Sequence, residues 1–117
     1  MATMLGALFT DVAISQPCLD AALRHAVERS FNAISVDGDT STNDSLTIFA
    51  NGAAKNQPIN DITSDSYKAF VDQLTVFTSE LAQLIVRDGE GATKFVEINV
   101  KVKAPMCLFC LSKMFTW

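Results

Sequence analysis

A chain of 117 residues has room for one small domain, and its 49% hydrophobic content is ample for a packed core. A domain of this size still buries only a modest fraction of its surface, so a partner is expected to complete it. Nine Lys and Arg stand against 13 Asp and Glu, for a net charge of −4, and the basic residues are scattered rather than clustered. This argues against a nucleic-acid partner or an anionic membrane surface, both of which need concentrated positive charge.

Residues 4–12 are apolar with small side chains and read as a buried strand. Ser15 is placed to cap a helix, with Pro17 in the first turn, where a missing N–H costs little. Leu19, Ala22, Leu23, Ala26, Val27, Ser30 and Phe31 then recur at helical spacing and form a narrow core-facing stripe. Residues 33–36 are a short strand candidate. Residues 37–44, DGDTSTND, form a polar loop in which side chains compete with regular structure for backbone hydrogen bonds.

Residues 46–50 read as another short strand, ended by the turn signal Asn51-Gly52. Residues 53–63 are a surface connection. Ser64 or Asp65 then caps the longest helix, with an apolar stripe of Tyr67, Phe70, Val71, Leu74, Phe77, Leu81, Leu84 and Ile85, and Gly89 is placed to end it. In residues 94–102 apolar and polar side chains alternate, which predicts a strand with one solvated face. The order strand, helix, strand, strand, helix, strand points to an α/β class, a layered sandwich of helices on a mixed sheet. The strands are few and short, as if part of a larger sheet.

Four features could carry chemistry. Thr3 lies in Met1-Ala2-Thr3-Met4-Leu5. A threonine hydroxyl is a weak nucleophile until a base takes its proton, and a threonine that begins a chain has its own α-amine for that task. On position alone Thr3 is an ordinary threonine. Glu90 sits between Gly89 and Gly91, where backbone can approach a ligand closely; the simpler reading is a solvated turn glutamate. The loop 37–44 is rich in carboxylates but lacks the ligand order of a calcium-binding EF-hand, and it reads instead as a loop locked by its own Asx and Thr hydrogen bonds beside an active-site cleft. Cys107 and Cys110 form a Cys-x-x-Cys pair with only Cys18 and His25 to complete a metal set, so the pair reads as incidental, His25 as a surface residue, and no metal site is expected. Three cysteines do not make a disulfide framework, and a reducing compartment is the default. No signal peptide and no membrane helix is expected.

Three of these stretches together, residues 1–5, residues 35–44 and Arg87-Asp88-Gly89-Glu90-Gly91-Ala92-Thr93-Lys94, resemble the ornithine acetyltransferase family of arginine biosynthesis, the bifunctional glutamate N-acetyltransferases. The resemblance runs from about residue 1 to about residue 100. It implies an N-terminal-nucleophile type of acetyltransferase fold. It implies autocatalytic cleavage of the Ala2–Thr3 bond, with Thr3 as the exposed nucleophile and Thr3 and Glu90 as substrate-binding residues. The implied reaction moves acetyl from N-acetylornithine to glutamate through an acetyl-threonine ester, with no metal or organic cofactor; some members also accept acetyl-CoA as acetyl donor. The oxyanion donors of such enzymes come from an upstream segment that becomes the α subunit of a heterotetramer.

The sequence departs from the family at both ends. Met1 is expected to be a truncated or misassigned start, leaving residues 1–102 as a partial β-subunit domain. Residues 103–117 form an atypical apolar tail of the kind that a frameshift, a retained intron or a misassigned exon produces. Activity is not expected of such a piece alone. The competing readings are a related N-terminal-nucleophile hydrolase or aminopeptidase, and a non-catalytic α/β fragment that folds by pairing with another chain. The implied location is the mitochondrial matrix for a eukaryotic source, which is favoured, and the cytoplasm for a bacterial one.

Overall fold

Two short parallel strands begin the fold. The computed structural model describes residues 3–39, 41–104 and 107–116, with 100–104 and 107–116 described as backbone and strand pairing. Strand β1 (Leu5–Thr10) pairs in parallel with β3 (Ser45–Ala50), Leu5 opposite Ser45 and Thr10 opposite Ala50. Between them lie helix α1 (Gln16–Arg29), a 3-10 turn (Phe31–Ala33) and the two-residue strand β2 (Ile34–Ser35). Helix α2 (Asp65–Arg87) follows, then β4 (Phe95–Ala104) and β5 (Cys107–Thr116). A second sheet has the order β2-β5-β4: β2 runs parallel to β5, and β4 and β5 pair antiparallel from Phe95 opposite Thr116 to Ala104 opposite Cys107.

The α/β class with helices on mixed pairing is what the sequence predicts, but the strands divide between two sheets. Residues 107–116 of the apolar tail continue the second sheet as β5, placed between β2 and β4.

Period-two alternation puts Gly6 and Leu8 of β1, and Leu46 and Ile48 of β3, on the face that meets the helices. There Leu8, Ala22, Ala26, Val71 and Leu74 form the core, with Leu23, Tyr67, Phe70 and Leu81 packed around it. Ala22, Ala26 and Ala82 are fully buried, and such small side chains let helices approach closely. Ser30 and Thr78 are also fully buried, and each hydroxyl donates back to a helical carbonyl, Ser30 to Ala26 at 2.7 Å and Thr78 to Leu74 at 2.9 Å.

The other face of β1 and β3 is bare. Leu5 is 78% exposed, Phe9 79% and Phe49 52%, and the two phenyl rings stack at 5.2 Å between centroids. The expectation of a buried strand over residues 4–12 is therefore corrected: Leu8 is buried, but helices cover only one face. The stripe expected on α2 is corrected too. The line that packs inward is Val71, Leu74, Thr78, Ala82 and Val86, while Phe77 and Leu84 are exposed. This helix is apolar around much of its circumference, and the smaller side chains win the close approach. On β4, Ile98 is likewise exposed.

Side chains fix the helix starts. Ser64 accepts the Tyr67 N–H at 3.2 Å as the N-cap of α2. Ser15 occupies the N-cap position of α1 but its hydroxyl makes no cap bond; Pro17 removes one of the donors it would serve, and the Ser15 N–H is spent on the Ile59 carbonyl. Nearby, Asn56 accepts the Ala13 N–H at 2.7 Å and donates to the Ala13 carbonyl at 3.1 Å, which ties the 51–64 connection to the β1–α1 link.

Candidate active site

Parallel pairing places the beginnings of β1 and β3 at one end of the molecule. The loop that leads into β3 must therefore pass the residues that precede β1. Asp44 accepts the Met4 N–H at 2.8 Å, and the Ser45 N–H donates to the Met4 carbonyl at 2.9 Å. These bonds lay residues 3–4 alongside 44–45 before the strands formally begin. The Thr3 Oγ1 then meets the Ser41 Oγ at 3.0 Å.

The loop holds its own shape by local side-chain bonds. Asp37 accepts the Asp39 N–H at 3.1 Å, and Ser41 accepts the Asn43 N–H at 3.2 Å. Both are two-residue side-chain turns of the kind that Asp and Ser favour. The expectation of a loop locked by its own side-chain hydrogen bonds agrees with these turns. Thr40 and the Ala2 half of the expected cleavage site lie outside the described residues.

Glu90 is placed by helix α2 and the turn that follows it. Helix α2 packs Phe70 and Leu74 beside Leu8 and Thr10, far along β1. The helix runs on for 23 residues in all, about 34 Å. The helix ends at Arg87 with Asp88 as its C-cap, one residue before the expected Gly89. Gly91 has φ +72°, so the left-handed residue in this turn is the second glycine, not the first. The Ala92 N–H closes the turn on the Gly89 carbonyl at 2.9 Å and leaves Glu90 exposed at its tip.

Beside this turn an open depression of about 440 Å³ is lined by Leu84, Ile85, Arg87 and Asp88. The Arg87 guanidinium lies over the Phe95 ring, 4.2 Å from its centroid. A cation, an acid and an apolar floor therefore adjoin Glu90. Among the described residues no hydrogen bond joins Thr3 to Glu90.

The groups with displaced pKa values are elsewhere. Hydrogen bonds from the Thr63 backbone and hydroxyl hold Asp61 below its ordinary value. Burial, and then the neighbouring Cys18, push Tyr67 up. His25 is exposed on α1 and Cys18 is buried. Cys107 and Cys110 fall on β5, where only the backbone is described. Among the described residues no group of three His, Cys, Asp or Glu is arranged to hold a metal ion, and no helix is long and apolar enough to cross a membrane.

The sequence reading missed Ser41 and Asp44 as neighbours of Thr3. The polar loop was conspicuous, but its contact with Thr3 spans 38 residues and follows from parallel pairing, which no local pattern reveals.

Comparison with known proteins bears on the whole arrangement. Residues 1–105 match the model of the ArgJ family. The chain is 58% identical over 101 residues to the mitochondrial arginine biosynthesis bifunctional protein ArgJ of Aspergillus oryzae, which covers 86% of this chain and 22% of that protein. The corresponding protein of Coprinopsis cinerea is 57% identical over the same length, covering 86% of this chain and 21% of its own. The chain thus spans about a fifth of the length of these curated relatives. A crystal structure of the arginine biosynthesis bifunctional protein argJ from Bacillus halodurans superposes with a TM-score of 0.78 at 40% identity, over 85% of this chain and 46% of that one. The elements from β1 to β4, the Thr3 segment and the turn around Glu90 fall within the matched residues, and this chain belongs to the ArgJ family.

Proposed function

We propose that this chain is the nucleophile-bearing part of a glutamate N-acetyltransferase of arginine biosynthesis, with residues 1–102 as the partial β-subunit domain. The observation that carries the reading is the placement of Thr3 in a family member. Its hydroxyl is held by the loop before β3, 3.0 Å from the Ser41 Oγ.

Cleavage of the Ala2–Thr3 bond frees the Thr3 α-amine, whose ordinary pKa of about 7.7–8.0 leaves a useful neutral fraction near neutral pH. The amine takes the hydroxyl proton as Thr3 Oγ1 attacks the acetyl carbonyl of N-acetylornithine. Collapse of the tetrahedral intermediate returns that proton to the departing ornithine amine and leaves acetyl on Thr3 as an ester. The amine of glutamate then attacks the ester, and N-acetylglutamate leaves as the Thr3 hydroxyl is restored. This is a ping-pong sequence. Glu90 pairs with a cationic amine of the substrate. Acetyl-CoA as an alternative donor would enter at the same ester.

The intermediate's oxyanion needs preorganised donors. We assign these to an α subunit made from further ArgJ polypeptide, in a heterotetramer, and the bare face of β1 and β3 supports a need for further chain. The naming of the fungal relatives supports a mitochondrial location. A related hydrolase would pass acetyl to water rather than to glutamate, and product analysis separates the two.

The test is made in the complete ArgJ polypeptide that carries this segment. Intact-mass analysis is expected to find a chain that begins at Thr3 and gains one acetyl group with N-acetylornithine. Thr3→Ala is expected to abolish both cleavage and acetyl transfer. Full transferase activity in Thr3→Ala would overturn the reading.

A further inference from the structure

A hydroxyl group has one proton to donate and two lone pairs to accept. At Ser41 one lone pair is taken by the Asn43 N–H at 3.2 Å, and the same oxygen lies 3.0 Å from Thr3 Oγ1. That bond leaves the Ser41 proton free to go to Thr3 Oγ1, one of the two donor arrangements the pair allows. In that arrangement Thr3 keeps its own proton free for a base. Three residues further on, Asp44 fixes the Met4 N–H at 2.8 Å. One short stretch of loop thus holds both the side chain of Thr3 and the peptide group that follows it. Threonine is β-branched and has few χ1 choices, so a single directed contact suffices to select one.

We propose that Ser41 is a positioning residue for the Thr3 nucleophile: its hydroxyl donates to Thr3 Oγ1 and aims that oxygen at the acyl carbon. The proposal rests on the reading of Thr3 given above. It adds a second contact to the loop whose Asp44 already holds the Met4 amide. Ser41 neither gains nor loses a proton over the cycle, so it transfers nothing and acts through Thr3. Misplacement of a nucleophile by about 1 Å costs on the order of 100-fold in rate, and a lost rotamer preference costs less.

The experiment uses the complete ArgJ polypeptide with Ser41→Ala, Ser41→Cys and Ser41→Thr, beside Thr3→Ala. Ser41→Ala and Ser41→Cys, which lack a good donor, are expected to lower kcat by about 10- to 100-fold at nearly constant KM for N-acetylornithine. Single-turnover acetylation of Thr3, followed by mass, is expected to slow by the same factor. Ser41→Thr, which keeps the hydroxyl, is expected to stay within about threefold of the parent. A Ser41→Cys enzyme with parental kcat would overturn the proposal while leaving Thr3 intact as nucleophile, provided Thr3→Ala is dead. An equal rise in KM across all three variants would also overturn it, because that is the mark of a loop that shapes the site in general. If Ser41→Ala fails to fold, the Cys and Thr pair carries the comparison. Parental activity in Thr3→Ala would overturn both readings at once.

Discussion

Glu90 and Asp44 are both exposed carboxylates, yet they differ in what they touch. Asp44 has a backbone partner, the Met4 N–H at 2.8 Å, whereas Glu90 projects from the tip of a turn. Asp44→Ala is therefore expected to be a structural change. It removes the acceptor that docks the Thr3 segment, at a cost of about 0.5–1.5 kcal/mol, and speeds hydrogen exchange of the Met4 amide. Asp44→Asn keeps an acceptor oxygen and is expected to preserve slow exchange. Glu90→Gln is expected to leave the melting temperature unchanged. In the complete enzyme it is expected to lower kcat/KM by about 10- to 100-fold, the scale of one charge-assisted hydrogen bond to the substrate amine. Equal kcat/KM for the parent and Glu90→Gln would remove Glu90 from substrate binding. The residues that mark the family were legible in the sequence because they are contiguous. Their partners were not: Ser41 and Thr3 are local to nothing but the parallel register that joins them.

Helix α2 shows what periodicity can and cannot establish. Its length was readable, and its cap to within the pair Ser64 and Asp65, because a cap acts over three residues; Ser64 fills the position. Its buried face was misread, because Phe77 and Leu84 fit a 3.6-residue stripe as well as Thr78 and Ala82 do, and size favoured the wrong pair. Helix-to-sheet distance decides that choice, and distance is a tertiary property. The cap itself is testable. Ser64→Ala leaves the Tyr67 N–H without its acceptor and is expected to cost about 1 kcal/mol, read as a lower midpoint in denaturant. Just before it, Asp61 accepts from the Thr63 N–H and hydroxyl, each at 2.8 Å, and these bonds hold its pKa below the ordinary 3.8. A depressed folded-state pKa stabilises the protein above the unfolded value, and that stability is lost as pH falls through the folded one. Asp61→Asn is therefore expected to flatten the acid limb of the stability curve below about pH 4 and to leave its slope near neutrality unchanged. Because Asp61 is fully solvated, the flattening is expected to be small.

At the scale of the whole molecule, the chain is more extended than its length requires. Its radius of gyration is 16.1 Å, against about 13 Å for a compact domain of 117 residues. One sheet face is also left uncovered. A two-stranded parallel sheet with helices on one face leaves Leu5, Phe9 and Phe49 in water, although parallel strands are ordinarily covered on both faces. Each phenyl ring has on the order of 100–150 Å² to bury, worth roughly 2–4 kcal/mol against an apolar partner. The sequence signalled this only indirectly, through strands too few and too short for a complete sheet. If further ArgJ polypeptide covers this face, Phe9→Lys is expected to separate two quantities that usually move together. The stability of the isolated chain is expected to change by less than about 0.5 kcal/mol, because the ring is already solvated. Association with the remaining polypeptide, measured by titration of one purified part into the other, is expected to weaken by at least about 10-fold, since the charge must be desolvated where a ring was to be buried. Loss of stability in the isolated chain with unchanged association would mean that the Phe9–Phe49 stack supports β1 and β3 themselves, and that the partner sits on another face.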